Sequence, residues 1–321
     1  MIYQTLGKTG VSVSRIALGG HEYLPNGKSR GFNENRDLAA TPGYIFDGFV
    51  NANRKALLDA AFDNGINLFD VTMDSEKDAL GRMLDGVSLP YEIFIQTRPE
   101  GMLYDYDPNN VKMARYDTLR AEVIRLLGLL RRERVDLLNL APLQCAFRHD
   151  PEYMDKLADN VRRLKAEGLI RFACADTFSG EETYLRMIAS GAFDVVYINF
   201  NIGDDRALEK VFPAARAANM GVIGREAYMK GQLFRIAEQE GITDIPLLAR
   251  AALKWCYADD ALTSLVYGTG KLKNLSAAMG VVLEDLTLNA EETAMLDRIR
   301  ASEGYRLFKE QKDRQFAGLV K

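Results

Sequence analysis

The sequence predicts an α/β protein of the (β/α)8 TIM-barrel class, with an N-terminal β-hairpin and a long insertion after the first barrel strand. Three observations lead there. From "RIALGG" onward, short apolar runs alternate with amphipathic stretches. Eight such runs can be counted, and uninterrupted βα alternation of that length favours one closed parallel barrel over two doubly wound domains. No low-complexity linker divides the 321 residues, which read as a single domain, 1–321.

The elements follow in order. "MIYQTLGKTGVSVS" holds two short alternating segments around Lys8-Thr9-Gly10, where Gly suits a hairpin turn. "RIALGG" is the first barrel strand, followed by "NLFDV", "EIFIQT", "VDLLNLA", "IRFACA", "VVYINF", "GVIGR" and "TSLVYG". Between them, "RKALLDAAFDN", "YDTLRAEVIRLLGLLRR", "DKLADNVRRLKAEG", "EETYLRMIASG" and "RALEKVFPAARAAN" carry apolar residues at three- and four-residue spacing, often ending in Gly or Asn. Residues 22–52 break the rhythm. A loop of this length in a compact domain is usually functional or disordered. In a barrel it leaves the C-terminal face, and Tyr23, Phe32, Tyr44, Phe46 and Phe49 make it a candidate lid over that face.

Bulk properties narrow the partners. A net charge of −4 is nearly balanced, which disfavours nucleic acid and anionic membrane surfaces. No N-terminal apolar run resembles an export signal and no stretch is long enough to span a bilayer, so a cytoplasmic protein is expected. Cys145, Cys174 and Cys256 are an odd set without CxxC spacing, which points to reduced thiols rather than a disulfide or zinc framework.

Several separated stretches together resemble the aldo-keto reductase superfamily. They are "YQTLGKTGVSVSRIALGG", "ALLDAAFDNGINLFD", "VDLLNL", "LKAEGLIRF", "GAFDVVYINFN", "MGVIGREAYMKGQLF" and "LVYGTGKLKNL". The resemblance implies a barrel, a carbonyl substrate, NADPH as hydride source, and an Asp, Tyr, Lys, His tetrad at the strand ends. The aspartate matches Asp70. The tyrosine has no counterpart in "FDVTMDSEKDALG", where Ser75 falls nearest. Thr97-Arg98 stands where the family has Thr-Lys, and Ala141 replaces the histidine. Arg98 keeps the charge but cannot take part in proton transfer, though its fork can grip a carboxylate or an oxyanion. Losing a general acid typically costs about 10² to 10⁴ in rate. The cofactor signature is thinned as well. Asp176 and Thr177 replace a Ser-Asn pair, and Arg225 or Glu226 takes the place of a stacking aromatic. Ala277 and Ala278 stand at the adenine end. Gly268, Thr269, Gly270 and Lys271 could still receive a phosphate, so retention of NADP stays open.

The strand ends nevertheless remain polar. His21 and Glu22 follow the first barrel strand, Thr72 and Asp74 the second, Glu100 the third, and Asn199 and Asn201 the sixth. Asp70, Arg98, His21 and Glu226 are the catalytic candidates. Arg225, Asp176, Tyr23, Tyr104 and Asn199 are the substrate-binding ones, and Tyr106 and His149 are secondary. Asp70 is expected to pair with Arg98, and Arg225 with Asp176 or Glu226. No metal-ligand spacing is present. Three functions stay open: a diverged enzyme acting on a small polar, sugar-like or acidic substrate by non-redox acid/base chemistry; an NAD(P)H-dependent carbonyl oxidoreductase with a rebuilt proton donor; and a non-catalytic ligand- or partner-binding protein. The oligomeric state is left open.

Overall fold

Among the described residues, eight parallel strands close into a barrel, each hydrogen-bonded to the next in chain order and the last to the first. The computed structural model describes residues 1–21, 38, 41–102 and 106–319. The strands are β3 (Ile16–Gly19), β4 (Leu68–Asp70), β5 (Phe94–Thr97), β6 (Val135–Leu140), β7 (Ile170–Ala175), β8 (Val195–Asn199), β9 (Gly221–Arg225) and β10 (Leu262–Tyr267). Each lies within two residues of the run that predicted it. Because successive side chains in a strand point to opposite faces, each strand feeds two cores. On β8, Val195 and Tyr197 join the inner cluster, whereas Val196, Ile198 and Phe200 join the outer one beneath the helices. Asn199 continues the inner series at the strand's C-terminal end.

The expected hairpin forms from β1 (Tyr3–Thr5) and β2 (Ser12–Ser14), with Tyr3 opposite Ser14. It closes the N-terminal end of the barrel. Leu6 and Val13 are fully buried and pack with Ala17, Leu68, Phe94, Leu137 and Ile223 of the barrel interior. The Asn67 side chain fastens the plug, accepting from Ser14 N at 2.7 Å and donating to Ser12 O at 2.9 Å. Within the barrel, this leaves the C-terminal end for a site.

One helix differs from its sequence pattern. The stretch 206–219 is expected as a single helix, but it divides into a short 3-10 turn, Arg206–Leu208, and the helix Val211–Ala217. Pro213 explains the break. Its ring cannot sit in a helix interior, and restarting the helix at Val211 puts it in the first turn, where no amide donor is needed.

The helix Asp74–Met83 carries much of the site and is seated by one glycine. A Cβ on Gly81 would lie 2.4 Å from Leu129 O and 2.9 Å from the Leu130 carbonyl carbon, at the end of the helix Tyr116–Leu130. Gly81→Ala should therefore destabilise by about 1–3 kcal/mol through overpacking, although Ala is the better helix former in isolation. Urea unfolding would decide, and a stabilised variant would mean the two helices do not approach this closely.

Most of the 22–52 insertion lies outside the described residues. The part that is described is stapled to the helix Asp74–Met83. Gly43 N donates to Asp74 Oδ2 at 2.7 Å, Phe46 N to Ser75 Oγ at 2.9 Å, and Phe46 and Phe49 pack with Met73 and Ala79. Ser75, the residue nearest the missing tyrosine, is thus occupied in holding this segment. Across the barrel mouth, the helix Glu303–Phe316 packs on the segment after β8, with Tyr305 Oη donating to Ile202 O at 2.7 Å. Among the described residues no helix is long and apolar enough to cross a membrane.

Candidate active site

Asp70 ends β4, between Gly19 of β3 and Gln96 of β5. Leu68 points inward and Phe69 outward, so the strand period delivers Asp70 to the interior at the barrel mouth. Tyr197 reaches it from β8. The phenol and the carboxylate interact, and the contact favours the ionised carboxylate. Burial pushes the Asp70 carboxyl up to about 6, with the Glu76 charge adding to the rise, while His21, Tyr197 and Arg225 pull it back. A carboxyl that titrates so near neutrality is suited to giving and taking protons.

His21 Nδ1 lies 2.5 Å from Glu76 Oε1, on the first turn of the helix Asp74–Met83. Glu76 Oε2 also accepts from Thr72 N at 2.8 Å and Met73 N at 3.3 Å. Burial opposes ionisation of both partners, but their mutual charge and hydrogen bonds prevail: His21 titrates above its ordinary range and Glu76 below it. They form an imidazolium–carboxylate pair beside Asp70. Gly20 admits it, since a Cβ there would lie 2.9 Å from both Asp70 O and Glu76 Oε2.

The expected Asp70–Arg98 pair does not form. Arg98 stands one residue past the end of β5 and, among the described residues, its ion pair is with Glu100, with Nε 3.9 Å from Oε2. The tight turn Glu100–Met102 holds that carboxylate on the Arg98 side, while Asp70 faces Tyr197. Arg225 does pair as expected, and its partner is Asp176. Its two terminal nitrogens meet the two carboxylate oxygens at 2.9 Å each, and Nε meets Asn199 Oδ1 at 2.5 Å. Asp176 is fully buried and also accepts from Asn139 Nδ2 at 3.2 Å and Tyr184 Oη at 3.3 Å. The guanidinium lies over the Tyr197 ring, 4.5 Å from its centroid. Burial disfavours the Arg225 charge, yet Asp176 holds its pKa well above the ordinary value.

Glu226 is not brought to this group. Its backbone is left-handed, with φ 66°, and its carboxylate turns to Lys230 at 3.2 Å and Lys312 at 3.9 Å. It is therefore neither the partner of Arg225 nor an acid–base companion of Asp70. His149 is exposed at the end of the helix Gln144–His149, shortly before the helix Tyr153–Ala166 begins. Tyr106 donates to Thr41 Oγ1 at 3.2 Å, linking the loop after β5 to the insertion. Tyr23, Glu22 and Tyr104 lie outside the described residues. Among the described residues no three His, Cys, Asp or Glu side chains are grouped to hold a metal ion.

Sequence reasoning missed Tyr197, Glu76 and Lys77. Tyr197 had a usable signal, because it shares a strand face with Asn199, two positions on. Lys77 is fully buried, 2.9 Å from Asp74 Oδ1, and Arg125 takes the other oxygen of that carboxylate at 2.5 Å. This network fixes the start of the helix that carries Glu76.

The two ends of a nicotinamide site fare differently. At the phosphate end, the loop Gly268–Lys271 leads into the twelve-residue helix Leu272–Leu283, whose N-cap makes no side-chain cap bond. Thr269 Oγ1 accepts from Lys271 N at 3.1 Å, Asn53 Nδ2 donates to Gly270 O at 3.1 Å, and Lys271 and Lys273 are exposed beside the helix start. Those groups suit a phosphate. At the nicotinamide end, Asp176 and Arg225 are spent on each other, and Thr177 Oγ1 donates to Pro142 O at 2.7 Å. Tyr228, the aromatic near the end of β9, packs edge-on against Tyr267 at 5.9 Å. The polar groups that would hold a carboxamide are already engaged, so this end does not fit the ring.

Comparisons with known proteins bear on this site. The family model described as "Aldo/keto reductase family" matches residues 44–244, more than half of the chain. Among solved structures, an aldo-keto reductase from Bacillus halodurans in its holo form aligns with TM-score 0.68 and 18% identity, over 93% of this chain and 96% of that one. Two structures from Pseudomonas aeruginosa, described by assignment as aldo-keto reductases, align with TM-score 0.59. Their identities are 21% and 20%; each covers 88% of this chain, and 96% and 95% of their own are covered. At these identities the likeness concerns the fold. No curated protein matches the sequence.

Proposed function

Because the chain belongs to the aldo/keto reductase family, we propose that it is an enzyme that moves a proton at a hydroxyl or carbonyl group of a small polar substrate. The observation that carries this is the Asp70–Tyr197 pair at the barrel mouth, with the Asp70 carboxyl titrating at about 6. Asp70 exchanges the proton, Tyr197 Oη holds the carboxylate in place between transfers, and the His21 imidazolium supplies positive charge where an oxyanion develops. Aldo-keto reductases typically use NADP. When bound it supplies a hydride, but the engaged Asp176–Arg225 pair argues against a nicotinamide ring here, and the chemistry proposed is non-redox. Three free cysteines suit a cytoplasmic setting.

NADP-dependent carbonyl reduction is the second reading, favoured by the uncapped helix start beside Lys271 and Lys273. Titration with NADPH and NADH, followed by fluorescence and thermal shift, separates the two. Weak or no binding is expected, and tight NADPH binding with carbonyl-dependent oxidation would establish the second reading instead. Once a substrate is found in a panel of sugars, hydroxy acids and carbonyl compounds, the rate should show a limb near pH 6 set by Asp70. Tyr197→Phe should move that limb upward, since the lost contact favoured the ionised carboxylate. An unmoved profile would remove Tyr197 from the mechanism.

A further inference from the structure

Arg98 is out of keeping with the other deeply seated cations. Among the described residues, Lys77 reaches Asp74 at 2.9 Å, Arg225 reaches Asp176 at 2.9 Å, Lys254 reaches Glu292 at 3.1 Å and Lys312 reaches Asp204 at 3.3 Å. The Arg98 side chain is only 11% exposed, yet it makes no hydrogen bond, and its Nε is buried without an acceptor. The nearest acid, Glu100, stays at 3.9 Å and must also serve Lys77 at 3.9 Å. Burial pushes the Glu100 carboxyl above its usual range, which weakens it further as a counter-ion. A largely buried guanidinium whose nearest acid stands at 3.9 Å, beyond hydrogen-bond distance, is poorly compensated until another anion completes it.

Its position says where that anion would sit. Asp70 pairs in register with Gln96, so Arg98 stands two residues higher on the adjacent strand, toward the opening. His21, paired with Glu76, is within reach of the charges of both Asp70 and Arg98. Arg225 offers no alternative grip, because Asp176 and Asn199 already use its fork. We infer that Arg98 anchors a substrate carboxylate, which makes the substrate a small hydroxy or oxo carboxylic acid whose reacting oxygen lies over Asp70. The planar fork of Arg98 matches a carboxylate through two parallel N–H donors. This inference rests on the proton-transfer function proposed above.

The test pairs ligand binding with a readout that needs no ligand. Thermal shifts are measured with short 2-hydroxy and 2-oxo monocarboxylates, their neutral amides and inorganic phosphate, on wild type, Arg98→Lys, Arg98→Met and Asp70→Asn. The expected result is that at least one acid raises the melting temperature and its amide does not. Arg98→Lys should weaken that binding about tenfold or more, Arg98→Met should abolish it, and Asp70→Asn should leave it in place. The free Arg98→Met protein should melt at the same temperature as wild type or higher, because a poorly compensated charge has been removed. Amides that match their acids, acid binding that survives Arg98→Met, or a free Arg98→Met protein that melts several degrees lower would each overturn the anchor. Phosphate stabilising more than every carboxylate would also overturn it. Turnover of a neutral substrate that needs Asp70 but not Arg98 would remove the anchor and leave the proposed function standing. Arg98-dependent acid binding with turnover indifferent to Asp70→Asn would do the reverse.

Discussion

Asp70→Asn should yield a protein that is more stable at pH 8 and has lost its turnover. The carboxyl titrates at about 6 in the folded chain, against an ordinary value of 3.8. A raised carboxyl contributes stability below its unfolded value, and that stability is lost as the pH climbs through the folded value. Above about pH 6, folding must therefore carry an ionised Asp70 in a poorly solvated place. Two pKa units correspond to about 3 kcal/mol as a ceiling. Because the residue is partly exposed, a gain of about 1–2 kcal/mol is the realistic expectation for Asn. Asn keeps a carbonyl oxygen facing Tyr197 while removing the charge. The gain should shrink between pH 6 and 4, where wild-type Asp70 becomes protonated. Urea unfolding at pH 5 and pH 8 measures it, and a variant less stable at pH 8 would contradict the proposed environment of Asp70. Stability gained at the expense of activity is the usual mark of a residue retained for chemistry.

Asp176→Ala should be the most damaging single change, costing about 3–5 kcal/mol. It strands Arg225 in a setting where both terminal nitrogens and Nε are committed to protein acceptors. It also leaves Asn139 and Tyr184 donors without their carboxylate. Arg225→Met alone should cost a similar amount, since it isolates a fully buried Asp176. The double variant Asp176→Ala/Arg225→Met should recover much of the loss, as the penalty comes from the orphaned charge more than from the missing attraction. Single and double variants compared in one denaturant series test this. Losses that simply add would show that the two side chains act independently.

The strands were legible because their apolar runs are short, bounded and regularly spaced, and Asp70 was legible as a polar residue closing such a run. The Arg225–Asp176 pair was half legible. Strand ends brought the right residues to one place, but choosing Asp176 over Glu226 depends on the left-handed backbone at Glu226, which the sequence does not announce. The Asp70–Arg98 expectation failed for a related reason. Neighbouring strands invite pairing, yet Arg98 lies beyond its strand and the turn that follows supplies Glu100. Tyr197 and Asp70 meet across the barrel, through a relation set by closure of the sheet, so no local pattern contains it. The His21–Glu76 pair joins residues 55 positions apart, one after a strand and one on a helix's first turn, so no local pattern contains it.

The hairpin that seals the N-terminal end has a kinetic consequence. Leu6 and Val13 fill the N-terminal end of the barrel, so whatever binds at the mouth arrives and departs past the same residues. Any second reactant that shares this entrance has to arrive before or after the first, and a bulky product left in the mouth would block the next arrival. Product inhibition competitive with substrate is the signature of such traffic, and it would persist in hairpin variants that loosen the barrel floor without opening it.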